Sequence, residues 1–414
     1  MFGIGPEDIR KAWDLLKKYR YLPLSLPQRT IGLKRAARAA LSPLLTEYLI
    51  NEFPAAPFLR CNGHLYPVAA FRPLAGPVRV RKETDCPLHL DTKWSPKTPV
   101  RGRAFYWLQR SQINAENRNT FIMKTLTTDP LFLTCGIADF MAGLYSAHAL
   151  EWELHQAVGS AEVRGKPTVA EVRRRLTLRQ QLLSNVSNPL LDGNGRVAPV
   201  AASVLLAYAD DNKLRLFLRR RGPHSIVYDR GKWHVYPSAM FQAPCCDYET
   251  EFSLIHLALW EYVEELFDVP DPKDRRSDPK WFYSLDSVRE LMNMIREETA
   301  QLWLTGIALN MSSLRPEVLM LLCISDKEWF SRHQTGEAGA QVFRYSKEIA
   351  VSGEATGQLF LRPILKGGPE EMFDRLNFAP YSVVPVGAAA LYLGIEALNK
   401  IAGTSAATDG ASTG

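Results

Sequence analysis

His234-Val-Tyr-Pro-Ser-Ala-Met-Phe-Gln242 leads, across a short acidic gap, into Trp260-Glu-Tyr-Val-Glu-Glu-Leu-Phe-Asp268. The second stretch places Glu261, Glu264 and Glu265 at i, i+3 and i+4 of an otherwise apolar helix, so all three carboxylates project over one arc of its surface. Like charges that close repel one another unless water or a cation lies between them. Carboxylate oxygens are hard ligands that suit Mg2+ or Mn2+. Spacing alone therefore leaves two readings, a solvated acidic stripe or a divalent metal site.

Working outward, Leu214-Arg-Leu-Phe-Leu-Arg-Arg-Arg221 has the alternation of a strand, and Val197-Ala-Pro-Val-Ala-Ala-Ser-Val-Leu-Leu-Ala-Tyr208 reads as a buried strand. A hairpin through Asp210-Asp-Asn-Lys213 joins the two. Asp192-Gly-Asn-Gly-Arg196 reads as a turn, a helix is expected from about Asp286, and Val318-Leu-Met-Leu-Leu-Cys-Ile324 reads as a later strand. The Ser253 to Phe267 helix is expected to pack on this sheet through Leu254, Ala258, Leu259 and Val263.

This order of strand, Pro-containing turn and carboxylate helix resembles the Nudix hydrolase superfamily over roughly residues 191 to 395. That family's box runs Gly, five residues, Glu, seven residues, then Arg-Glu-aliphatic-x-Glu-Glu-x-Gly-aliphatic. Here the Glu-x-x-Glu-Glu part is intact as Glu261, Glu264 and Glu265. The rest departs from it: Trp260 stands at the Arg position, Phe267 and Cys246 at the two Gly positions, and Phe252 at the early Glu position, with Glu251 one residue away. Tyr236-Pro-Ser-Ala-Met240 is similar to the Pro-x-Gly turn that precedes many such boxes.

The resemblance implies an α+β fold, a Nudix-like mixed sheet sandwiched by helices. It also implies metal-assisted attack of water on a diphosphate linkage, with Glu261, Glu264 and Glu265 as metal ligands or base and Mg2+ or Mn2+ as the cofactor. The missing arginine and glycines imply weak turnover, because such supporting groups fix the ligands' rotamers and let phosphate approach the backbone. Two functions of different class stand side by side. One is a hydrolase of a nucleoside diphosphate-linked compound. The other is a catalytically inactive Nudix-like sensor or regulatory protein, whose cleft binds a nucleotide-like, phosphorylated small molecule and whose basic N-terminal half faces a partner or nucleic acid. Glu317 and Glu251 are candidate auxiliary carboxylates, and His224 and His234 flank the expected cleft.

Charge divides the chain. Residues 1 to 190 carry 27 Lys and Arg against 15 Asp and Glu, a net of +12; residues 191 to 414 carry 23 against 29, a net of −6. This asymmetry predicts a basic, mainly helical region over 1–190, a Nudix-like domain over 191–398 and a disordered Ala/Ser/Thr/Gly tail over 399–414. Helices are expected over Pro6 to Tyr19, Ile31 to Phe53 and Gly136 to Val158. Another should start at the Thr168-Val-Ala-Glu171 capping box and run to Leu183, while Pro77-Val-Arg-Val-Arg81 reads as a strand. Basic helices suit phosphate backbones, yet no helix-turn-helix, zinc finger or RNA-binding strand signature accompanies them.

Other chemistries lack their motifs. Cys61, Cys86, Cys135, Cys245, Cys246 and Cys323 contain no Cys-x-x-Cys pair, which argues for reduced thiols and a cytoplasmic location. There is no P-loop lysine or His-x-x-x-His pair. The uncharged run Ala379 to Ile395 holds Pro380 and Pro385 and is rich in Ala and Gly, so it is expected to be a loop and a buried closing helix, not a membrane span.

Overall fold

A computed structural model describes residues 42–82, 85–94, 96, 118–165, 167–210, 213–220, 232–244, 246–269, 279–345, 357–361 and 368–411. The expected helix over 6–19 and the first part of that over 31–53 lie outside the described residues.

The centre is a mixed sheet. Its main path runs β1 (Phe58–Cys61), β2 (His64–Phe71), β11 (Ala300–Asn310), β12 (Arg315–Ile324), β7 (Ala201–Asp210), β8 (Lys213–Arg220) and β13 (Gly357–Leu361). Three short strands attach to it: β3 (Val78–Arg79) to β11, β9 (Trp233–Val235) to β8 and β10 (Ser238–Met240) to β7. Within this sheet the described pairings are antiparallel except β7 with β12, which run parallel with Ala201 opposite Glu317 and Tyr208 opposite Ile324. A second sheet has the order β4 (Leu88–Leu90), β6 (Leu131–Asp139) and β5 (Asn119–Thr128).

Alternation along the central strands sorts their side chains between two apolar cores. Ala202, Val204, Leu206 and Tyr208 of β7, with Val318, Met320 and Leu322 of β12, enter one core; it also holds Leu254, Ala258, Leu259 and Val263 of the expected carboxylate helix. Leu205, Ala207, Leu319 and Leu321 enter the other, against the C-terminal helix. Helices therefore cover both faces, as expected for the α+β class.

In chain order the helices are α1 (Pro43–Glu52), α2 (Phe140–Tyr145), α3 (Ala147–Val163), α4 (Val169–Arg175), α5 (Thr177–Leu183), α6 (Tyr248–Glu251), α7 (Leu254–Phe267), α8 (Pro279–Tyr283), α9 (Asp286–Arg296), α10 (Trp329–Thr335), α11 (Gly368–Arg375) and α12 (Pro385–Ala411). α12 comes very close to the sheet. A Cβ on Gly394 would stand 2.5 Å from Leu205, and one on Gly387 would stand 2.8 Å from His234 Nδ1.

Several expectations are corrected. The described part of 1–190 is not mainly helical: β1 to β6 lie within it, and β2 pairs with β11 from Phe71↔Ile307 to Val68↔Asn310. The boundary at 190 thus cuts through one sheet, because strand pairing joins distant segments whatever their charge. The helix expected from Gly136 starts as strand β6 and breaks again at Ser146, whose hydroxyl accepts from Val197 N at 2.8 Å. Thr168 caps α4 by accepting from Glu171 N, but the helix breaks at Leu176, making α5 separate. The tail expected to be disordered from 399 begins inside α12, which runs to Ala411. No helix among the described residues is long and apolar enough to cross a membrane.

Candidate functional site

Ser253 starts α7, its hydroxyl accepting from His256 N at 3.0 Å. The apolar face of this helix then packs on the sheet, which fixes the direction of each glutamate. Successive residues of a helix are turned by about 100°. Glu264 and Glu265 therefore leave on opposite sides of the direction taken by Glu261, and the three carboxylates do not converge.

Glu261 and Glu264 line a cleft of about 390 Å³ between α7, β10 and the 241–244 segment. Glu251, at the end of α6, lines the same cleft, with Arg118, His256 and Trp260. Glu251 is buried, at 1% exposure; of the helix triplet, Glu261 and Glu265 are buried at 4% and 7% and Glu264 is half-buried, so the triplet is not a solvated stripe. The Glu251 carboxylate accepts from Asp247 N at 3.0 Å, and Trp260 Nε1 donates to Glu264 at 3.2 Å. Trp260 also packs against Phe282, with ring centres 4.9 Å apart and the planes tilted by 30°, so the indole both packs and orients a carboxylate. His256 Nδ1 lies 2.9 Å from the Tyr283 hydroxyl, and burial pushes its pKa down to about 4, only weakly opposed by Asp247, so the ring is neutral at pH 7.

Glu265 faces away from the cleft. Its carboxylate takes a 2.7 Å hydrogen bond from Arg219 Nη1, and both side chains are more than nine-tenths buried. Arg219 Nη2 donates to the hydroxyl and carbonyl of Ser238 at 3.0 and 3.2 Å, and the guanidinium lies over the Tyr236 ring at 5.5 Å. The Tyr236 hydroxyl donates to the Glu265 carbonyl. This network ties α7 to β8 and to the turn before β10. It uses Glu265 as a strut.

The other candidates lie apart from this cleft. Glu317 is buried in β12, accepts from the Ser203 hydroxyl and lies 3.9 Å from His234 Nε2. His224 falls outside the described residues. Among the described residues no group of three or more His, Cys, Asp or Glu side chains is arranged to hold a metal ion. The donor chemistry of Glu251, Glu261 and Glu264 still suits a hard cation. Mg2+ is commonly held by one or two carboxylates, with water and ligand phosphates completing its shell.

Sequence reasoning did not find Arg118 or Arg219. Arg118 stands alone before β5 and carries no motif. Arg219 had a usable signal: in β8, Leu216 and Leu218 enter the core against α12 while Phe217 enters the core against α7, so alternation places Arg219 on the α7 side. No family model matches the chain, and no curated protein matches it.

Proposed function

We propose that the cleft is a degenerate Nudix-type site that binds a phosphorylated small molecule together with Mg2+ or Mn2+. The observation that carries this reading is the meeting of Glu251, Glu261 and Glu264, from two helices, on one cleft with Arg118. Two further features support it. Cys246, at the position of the box's first glycine, holds a left-handed backbone at φ 61°, a conformation that favours glycine. Glu251, one residue from the early Glu position, reaches the cleft beside Glu261 and Glu264.

Three carboxylates against one guanidinium would repel a bare phosphate. A divalent cation at Glu261 and Glu264, or at Glu251, would cancel that charge and polarise the phosphoryl oxygens when bound. Arg118 would meet the ligand's remaining negative charge, and the aromatic wall formed by Trp260 and Phe241 would exclude water.

Of the two outputs, ligand sensing is favoured over rapid hydrolysis, because the Arg219 ion pair holds Glu265 away from the cleft. The test is a panel of nucleoside diphosphate-linked compounds with Mg2+ or Mn2+, following thermal stabilisation and released phosphate or monophosphate in the same samples. Stabilisation that requires the cation, with little release, is the expected result. Fast release supports the hydrolase instead, and no stabilisation by any compound with either metal removes the Nudix-type reading.

A further inference from the structure

A larger concavity, of about 680 Å³, opens on another part of the protein between α1, the α4–α5 corner and residues 186–191. It meets a second lobe of about 460 Å³ over the β1–β2 hairpin, and Pro57, Phe71 and Thr128 line both, so the two form one groove. Each lobe has the volume of a small-molecule site.

Its charge is one-sided. Four arginines, Arg60, Arg72, Arg173 and Arg179, line the groove against a single acidic residue, Glu52. Glu52 lies 3.3 Å from Arg173, and Arg72 is held from outside the groove by Glu396 at 3.0 Å. Arg60 makes no ion pair among the described residues. Arg179 is only 4% exposed. One of its nitrogens donates to the Ser312 carbonyl, while Nε and Nη1 meet no acceptor among the described residues. These atoms are sealed from water, so their charge acts on the groove as a field through the protein interior. Such a field is screened far less than one at the surface. The buried Glu153 carboxylate, which accepts from Leu178 N and Arg179 N, offsets part of it, and the buried Arg196 adds to it.

The rest of the lining is apolar or small, with Phe53, Phe58, Leu183 and Leu191 among its walls. We propose that this groove is a second ligand site, for a small organic anion with an apolar body, whose charge is met by the arginines that line the two lobes. The apolar walls would cover the body, and the arginines would select against neutral and cationic molecules of the same shape. The proposal is independent of the acidic cleft and of any metal.

Anilinonaphthalene sulfonate, a flat anion whose fluorescence reports burial, is a suitable probe, with neutral N-phenyl-1-naphthylamine as its uncharged counterpart. Titrated into the full chain, the anion is expected to bind at one site and more tightly than the neutral probe. Reversing two exposed charges together, Arg60→Glu with Arg173→Glu, should weaken the anion by about tenfold or more and leave the neutral probe within about twofold. Ser184→Trp, at an exposed position lining the groove, should block both probes by filling it. Circular dichroism and the melting temperature establish that each variant is folded. The proposal is overturned if the anion fails to bind at a single site, if charge reversal leaves its affinity unchanged, or if Ser184→Trp leaves both probes bound.

Discussion

Replacing Glu265 with Gln should destabilise the protein in the complete absence of metal. The carboxylate and the Arg219 guanidinium are 2.7 Å apart with side-chain exposures of 9% and 8%. At an effective dielectric of about 20, opposite charges at that separation attract by about 6 kcal/mol, most of which offsets the cost of removing both from water. Removing only the carboxylate's charge breaks this buried ion pair, at a cost of about 3 to 5 kcal/mol. With a urea m-value of about 3 kcal/mol per molar, the unfolding midpoint should fall by about 1 M or more. The assay is urea denaturation in EDTA, followed by circular dichroism and tryptophan fluorescence, with the m-value checked against wild type. The double variant Arg219→Met with Glu265→Leu should recover most of the loss, since an apolar pair can replace a buried ion pair. A loss below about 1 kcal/mol for Glu265→Gln would refute the reasoning, because it would mean that the ion pair opens to water and leaves Glu265 available as a ligand.

Glu264→Gln should abolish thermal stabilisation by Mg2+ or Mn2+ while leaving the metal-free melting temperature near wild type, since Glu264 is only half-buried; retention of the metal effect would remove Glu264 from the site. Trp260→Arg loses the packing on Phe282 and should cost about 2 kcal/mol or more in denaturant titration, without gain of hydrolysis; activity gained at an unchanged melting temperature would instead identify a crippled hydrolase. His256 has its folded pKa lowered to about 4 from 6.5, so its contribution to stability is complete above pH 6.5 and is lost as pH falls from there toward 4; His256→Phe should flatten that part of the stability–pH curve. Gly387→Ala places a Cβ 2.8 Å from His234 Nδ1 and should destabilise by about 1 to 3 kcal/mol, measured by the same titration.

Local pattern by itself determined the core elements. Unbroken apolar runs in Val197 to Tyr208 and in Val318 to Ile324 mark β7 and β12, the two-residue gap after Asp210 marks their neighbour β8 as a hairpin partner, and Ser253 with its apolar 3.6-residue spacing marks α7. These signals are local because hydrogen-bonding geometry fixes the side-chain period within each element. The sequence also placed three glutamates on one helix, with Trp260 beside them.

Tertiary structure alone decided what those glutamates do. Glu261, Glu264 and Glu265 share an arc of α7, but a cleft lies on one side of that arc and Arg219, 46 residues earlier, on the other, so the triplet divides into two cleft carboxylates and one strut. Glu251 joins the cleft from a separate helix. Charge composition predicted two domains, yet β2 pairs with β11 across more than two hundred residues. Net charge records how each segment meets solvent, whereas strand pairing and burial depend on which segments meet each other. That information exists only once the chain has folded.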